Sequence, residues 1–256
     1  VRTPESAGAA SVVCPLGKPN LLEDHTGTSP AVSPLDMLSG QYLNDLKQNI
    51  VAGLEVLGQT LPAAAVEKLA RVIAELERWN RRINLTAIRD PQEMVSGHIL
   101  DSLSLRPLLE GASIADIGTG AGFPGLPLAI AEPDRRFLLL DGNGRKIAFV
   151  KHMIADLGLG NASAVQSRAE NFAADEAFDT VVARALATLD RIVELSAHLV
   201  AENGVLLAQK GQYPAAELET FKQRPGNWNF RVIELQVPGL PQHSRHVVRL
   251  TRAESA

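Results

Sequence analysis

Apolar residues recur at three- and four-residue intervals early in the chain, then in short strand-like runs from residue 112 onward. Leu43, Leu46, Ile50, Leu54 and Leu57 share one helical face. Beyond Gly58 and Pro62, so do Val66, Leu69, Ile73, Leu76 and Ile83. Both stripes predict amphipathic helices. A third helix is expected over 91–109, with Asp90 as its N-cap and Pro91 at its first position. The later runs predict strands at Ser113–Ile117, 135–141, 162–167, Phe178–Arg184, 204–210, 230–237 and 245–251. Helical stretches at 126–131, 147–157 and 189–200 separate the first five. Strand and helix in alternation predict a parallel sheet covered on both faces. The last two strands flank the turn 238–241, which carries Pro238, Gly239 and Pro241, and read as an antiparallel hairpin.

Residues 1–35 break this order. Pro4, Pro15, Pro19, Pro30 and Pro34 interrupt a stretch rich in Gly, Ser, Thr and Ala, so a disordered or loosely attached tail is expected. The expected organisation is therefore a tail over 1–35, a helical N-terminal cap over 36–110 and an α/β domain over 111–256.

The densest signal is Asp116–Pro127, D-I-G-T-G-A-G-F-P-G-L-P, which holds Gly118, Gly120, Gly122 and Gly125. It lies between the first strand and a helix start. Glycines there allow positive φ and let a ligand approach the backbone. A nucleotide-containing cofactor is the natural occupant. Gly120-x-Gly122-x-x-Gly125 fits the dinucleotide pattern, and Asp116-x-Gly118-x-Gly120-x-Gly122 fits the acidic loop of S-adenosylmethionine-dependent methyltransferases. The carboxylate favours the second, because it would repel a pyrophosphate and attract an ammonium or sulfonium. The hairpin favours it too: the expected fold is a class I methyltransferase, Rossmann-like, with a mostly parallel seven-stranded sheet closed by an antiparallel pair. A nicotinamide-dependent oxidoreductase using the same loop is the alternative.

Four further positions carry candidate chemistry. Asp141 ends the second strand, where a carboxylate can accept ribose hydroxyls or cap the next helix. Arg168, Ala169 and Glu170 follow the third strand, beside the expected adenine, although Glu170 also suits an ordinary helix start. Arg184 ends the fourth strand, where its forked donors can clamp a phosphate, a carboxylate or a guanine edge. The alternative there is a brace paired with Asp116 or Glu170. Arg78, Arg81, Arg82 and Arg89 surround Trp79. They form either an RNA surface or a solvated helix end, and Trp79 is expected to pack against the following domain. His98 and Asp101 share a helical face and are expected to hydrogen-bond within the cap. His243 and His246 lack a nearby third ligand, so no metal site is expected.

Composition adds limits. The chain has 256 residues, a net charge of −4 and one cysteine, Cys14. Neither an internal disulfide nor a cysteine zinc site can form, and a general nucleic-acid coat is not indicated. No apolar run approaches the roughly 20 residues of a membrane span, and no signal-peptide pattern opens the chain. A cytoplasmic protein without a membrane partner is expected.

Taken together, W-N-R-R-I-N-L-T-A-I-R-D (79–90), H-I-L-D-S (98–102), the glycine loop, S-R-A-E-N-F (167–172), A-R-A (183–185) and K-G-Q (210–212) occur in an order that resembles the glucose-inhibited division protein B family, also called ribosomal RNA small subunit methyltransferase G. The resemblance runs from about Leu43 to the C-terminus. It implies methyl transfer from S-adenosylmethionine to N7 of one guanine in bacterial 16S ribosomal RNA, within the small subunit or its precursor. It also implies cofactor contacts at Gly118, Phe123, Ala169, Glu170 and Arg184, to which the residue pattern adds Gly120 and Asp141. Arg184 is the candidate catalytic residue. Arg81, Arg82, Arg145, Lys146 and Arg168 are the candidate RNA contacts. Ala121, where the family commonly has Pro, and Gly142, where Ser is common, depart from the pattern. Guanine N7 carries a free lone pair, so no general base is required, and none is evident. A non-enzymatic ribosome-assembly factor that keeps the pocket is a further alternative.

Overall fold

A computed structural model describes residues 34–223, 228–241 and 245–253. Residues 1–33, where a tail is expected, and His243 lie outside the described residues.

Helix α1 spans Pro34–Val56 and α2 spans Ala63–Asn80. They pack through the expected stripes, and Leu46, Ile50, Leu69, Ile73 and Leu76 are fully buried. The expected single helix over 91–109 is instead broken. α3 (Pro91–Met94), capped by the Asp90 carboxylate, widens into a π-helical segment at Val95–Leu100, returns as α4 (Asp101–Leu103) and closes in a 3₁₀ turn at Arg106–Leu108. Periodicity of 3.6 cannot announce a π turn, which often marks a functional position. This one holds His98, and Asp101 follows it directly as the first residue of α4.

The α/β part follows as β1 (Ser113–Ile117), α5 (Gly125–Ala131), β2 (Arg136–Asp141), α6 (Gly144–Asp156), β3 (Ala162–Gln166) and β4 (Phe178–Arg184). Then come α7 (Leu189–Ser196), β5 (Val200–Lys210), α8 (Ala215–Lys222), β6 (Trp228–Glu234) and β7 (His246–Arg252). The sheet order is β3-β2-β1-β4-β5-β7-β6. The first five strands are parallel, and β7 pairs antiparallel with both β5 and β6. That is the expected parallel sheet with its hairpin. α8 is not among the expected helices: it is short and buries only Leu218 and Phe221.

Two apolar layers hold the sheet. One joins α1, α2, α5 and α6 to a face through residues such as Leu126, Leu139 and Phe149. The other packs α7 and α8 on the opposite face through Ile192, Leu218 and Phe221. The strand order reverses direction at β1 and β4, whose carboxyl ends open a crevice, as doubly wound sheets require. Among the described residues no helix is long and apolar enough to cross a membrane.

Candidate functional site

The bend after β1 takes positive φ at Gly118, Gly120 and Gly122, at 67°, 62° and 90°. At Gly118 a Cβ would also lie 2.6 Å from Leu186 Cδ1, so a side chain there is strained by both its φ and this neighbour. Asp116 is turned into this bend rather than towards a ligand. Its Oδ2 accepts from Thr119 Oγ1 at 2.5 Å and from the Gly125 N–H at 2.8 Å. Asp116 is 1% exposed, which corrects the expectation of direct charge complementarity: the carboxylate stiffens the loop. Burial pushes its pKa up to about 6, against the opposing pull of Thr119, Gly125 and Arg184.

Most of the remaining loop N–H groups are also committed. Thr119 donates to Leu140 O, Gly120 to Asp141 Oδ2, Gly122 and Phe123 to Thr119 O, and Leu126 to Gly122 O. The bend therefore offers backbone surface, not an array of free donors.

Two cavities meet at Gly118. The first, about 620 Å³, is bounded by Asp141, Gly142, Arg168, Ala169, Glu170 and Leu186. Asp141 Oδ2 accepts from Gly120 N at 2.9 Å and Oδ1 from Asn143 N at 2.7 Å. Each carboxylate oxygen keeps a second lone pair for a ligand hydroxyl. Asn143, not Asp141, caps α6, accepting from the N–H groups of Arg145 and Lys146.

The second cavity, about 510 Å³, is bounded by the glycine bend, Phe123, Lys146, Arg184, Gln209 and Arg245, with His98 and Asp101 behind. Asp101 organises its wall. Oδ2 accepts from Arg184 Nη1 at 3.1 Å, and Oδ1 accepts from Arg245 Nε and Gln209 Nε2, each at 2.9 Å. Its side chain is 2% exposed. Arg184 also donates to Gly97 O at 3.2 Å and lies 5.6 Å from the Phe123 ring centre. It therefore pairs with neither Asp116 nor Glu170. His98 bonds Thr86 Oγ1 at 2.8 Å, within the cap as expected, and stacks on Phe123 at 4.6 Å, whereas Asp101 takes its side-chain partners from outside the cap. Burial, and then the Arg184 charge, push the His98 pKa down to about 3, leaving the ring neutral.

A model of the rRNA small subunit methyltransferase G family, GidB, matches residues 65–248. The chain belongs to the rRNA small subunit methyltransferase G family. It is 48% identical over 202 residues to the ribosomal RNA small subunit methyltransferase G of Stenotrophomonas maltophilia strain K279a, covering 78% of this chain and 92% of that one. The namesake from Xanthomonas axonopodis pv. citri is 44% identical over 211 residues, covering 80% and 98%. That of Idiomarina loihiensis is 41% identical over 208 residues, covering 81% and 99%.

Within this methyltransferase G family chain, Gly118, Gly120, Phe123, Asp141, Ala169, Glu170 and Arg184 all border one cavity or the other. Of the candidate RNA contacts, Lys146 and Arg168 reach the cavities. Arg81 is held by Glu77 at 2.7 Å on the surface, and Arg82 borders a separate depression with Trp79. Arg145 is exposed at the start of α6. Trp79 packs edge-on against Phe149, centres 5.5 Å apart, as expected for a structural contact. Sequence reasoning missed Gln209, Lys210 and Arg245 as wall residues. The K-G-Q block is the available signal for Lys210, whose ammonium donates to Ala187 O and Glu217 Oε2, each at 2.7 Å.

Proposed function

We propose that this chain transfers a methyl group from S-adenosylmethionine to N7 of a guanine in 16S ribosomal RNA of the small subunit or its precursor, in the cytoplasm. The observation that carries the choice of cofactor is that the N–H groups of Gly120, Gly122, Phe123 and Gly125 are already paired, Gly120 with Asp141 and Gly125 with Asp116. A dinucleotide needs free donors there for its pyrophosphate; a cationic thioether nucleoside needs only close backbone approach, which Gly118 allows. The paired cavities fit the same reading. Asp141 would accept the ribose hydroxyls, and Ala169 and Glu170 would flank the adenine. Gly118, Gly120, Phe123 and Arg184 would border the amino-acid end.

S-adenosylmethionine supplies an electrophilic methyl carried on sulfonium. The chain's own task is then to hold the purine with its N7 lone pair in line with that methyl. No proton has to leave N7 first, which suits a wall whose histidine is neutral. Orientation of two bound reactants can supply roughly 7–11 kcal/mol of the barrier. Arg168, Lys146, Arg145, Arg81 and Arg82 would contact phosphates, which position RNA without reading sequence. In this reading the helices over 36–110 form a cap beside the catalytic domain over 111–256. The test is mass mapping of methylated nucleotides in 16S RNA from cells with and without the gene. One guanine should lose its methyl when the gene is removed and regain it when purified protein and S-adenosylmethionine are added. An unchanged map would overturn the reading.

A further inference from the structure

Asp101 is buried, yet three side chains from distant parts of the chain converge on it: Arg184 from the end of β4, Gln209 from β5 and Arg245 from just before β7. A carboxylate can only accept hydrogen bonds, so the group that Gln209 turns towards it must be the amide NH₂. The amide oxygen, Gln209 Oε1, is thereby directed elsewhere. It is buried and has no hydrogen-bond partner among the described residues, in a side chain that borders the second cavity and is 2% exposed overall. A buried acceptor left unmade is costly and calls for a ligand donor. Beside it the same carboxylate fixes two guanidinium groups, which can only donate.

The wall therefore presents cationic donors next to one neutral acceptor. Guanine offers the complement: O6 accepts, and the adjacent N1–H donates. Adenine presents the reverse, an amino donor and a bare N1. N7 accepts in both bases, and it must stay free to take the methyl, so it cannot distinguish them.

We propose that Asp101 is a positioning residue that sets Gln209 Oε1 as the acceptor for guanine N1–H and holds Arg184 and Arg245 as donors to O6, so that this enzyme selects guanine over adenine through that edge. The proposal rests on the methyl-transfer reading above. It assigns Gln209 and Arg245 to base recognition and Asp101 to holding them.

The experiment uses small subunits reconstituted with semisynthetic 16S RNA carrying guanine, inosine or 2,6-diaminopurine at the mapped position. Inosine keeps O6 and N1–H; 2,6-diaminopurine has neither. The wild-type chain should methylate inosine within about tenfold of guanine and reject 2,6-diaminopurine by about 10⁴-fold, the ratio for a site built around buried hydrogen bonds. Asp101→Asn should lower kcat on guanine about 100-fold, as expected for impaired positioning, and reduce the inosine preference below about 100-fold. Calorimetric binding of S-adenosylhomocysteine should keep its stoichiometry and weaken less than about tenfold, because the adenosine half in the first cavity is untouched and only Arg184, at the amino-acid end, loses its brace. Gln209→Leu, which removes the acceptor together with the amide donor to Asp101, should lower the inosine rate while retaining the fold, and decides the matter if Asp101→Asn does not bind S-adenosylhomocysteine. Equal wild-type rates on inosine and 2,6-diaminopurine, or a Gln209→Leu variant with wild-type rate and preference, would overturn the proposal. A wild-type chain that methylates no guanine at all would instead overturn the methyl-transfer reading.

Discussion

Gly120 donates its backbone N–H to Asp141 Oδ2 at 2.9 Å, across the 21 residues that separate them. The acid at the end of β2 and the bend after β1 thus move as one unit, because the same carboxylate that would hold the ribose fixes the loop beside it. Its other oxygen takes the Asn143 N–H at 2.7 Å, which starts α6.

Replacing Asp141 by Ala removes the proposed ribose acceptor and frees two backbone donors together. Hydrogen bonds to a charged acceptor contribute roughly 1.5–3 kcal/mol each. The affinity for S-adenosylhomocysteine should fall about 10- to 100-fold, with the chain still folded. Calorimetric titration measures this, and an unchanged affinity would remove Asp141 from the site.

Gly118→Ala tests the junction of the two cavities. The substitution forces an L-residue to φ near 67° and drives its methyl against Leu186 Cδ1, 2.6 Å away. The left-handed conformation alone costs about 1–2 kcal/mol. Thermal unfolding should shift down by several degrees, and S-adenosylhomocysteine binding should weaken more than tenfold. If only stability falls, Gly118 serves the turn and not the ligand.

Much of this architecture is legible in the sequence, because its signals are local. Ser113–Ile117 followed by four glycines can scarcely be anything but a strand and a tight bend, and the expected hairpin pairs as β6 and β7. What local reading cannot reach is a side chain whose partners are remote. Asp101 lies three residues from His98 on a helical face, so hydrogen bonding within the cap is the natural expectation. Instead its partners lie 83, 108 and 144 residues further along, and the π-helical segment just before it has no periodic signature. Asp116 shows the converse: its position at the strand end is legible, but the inward direction of its carboxylate depends on Thr119 and Gly125 closing over it.

Asp116 and His98 should give stability opposite dependences on pH. Asp116 titrates near 6 in the folded chain against an ordinary 3.8. Between those values the folded state binds more protons, so this group's contribution falls as pH rises through the window. His98 titrates near 3 against an ordinary 6.5. The folded state binds fewer protons there, and its contribution falls as pH drops from 6.5 towards 3. Each slope is at most about 1.4 kcal/mol per pH unit. Urea unfolding from pH 7 to pH 4 should therefore show Asp116→Asn losing stability on acidification more steeply than wild type, and His98→Gln less steeply. Parallel curves for all three proteins would show that neither residue titrates as described.

At the end of α2, packing can be tested apart from the proposed RNA binding. Trp79 joins this helix to α6, with its ring centre 5.5 Å from Phe149 and 5.3 Å from His152. Trp79→Ala should cost about 3 kcal/mol in urea unfolding, the lower end for truncating a large aromatic side chain. It should leave unchanged the salt dependence of binding to small-subunit RNA. Arg81 and Arg82 stand exposed beside it, with Arg81 paired to Glu77 one turn earlier. Their joint replacement by Ala should leave the unfolding midpoint in place. It should also make the plot of log affinity against log salt shallower by about one for each phosphate that is no longer neutralised. An RNA affinity and salt slope equal to wild type would assign these arginines to solvent alone, and a loss of stability without a change in slope would make them part of the helix end rather than of the RNA surface.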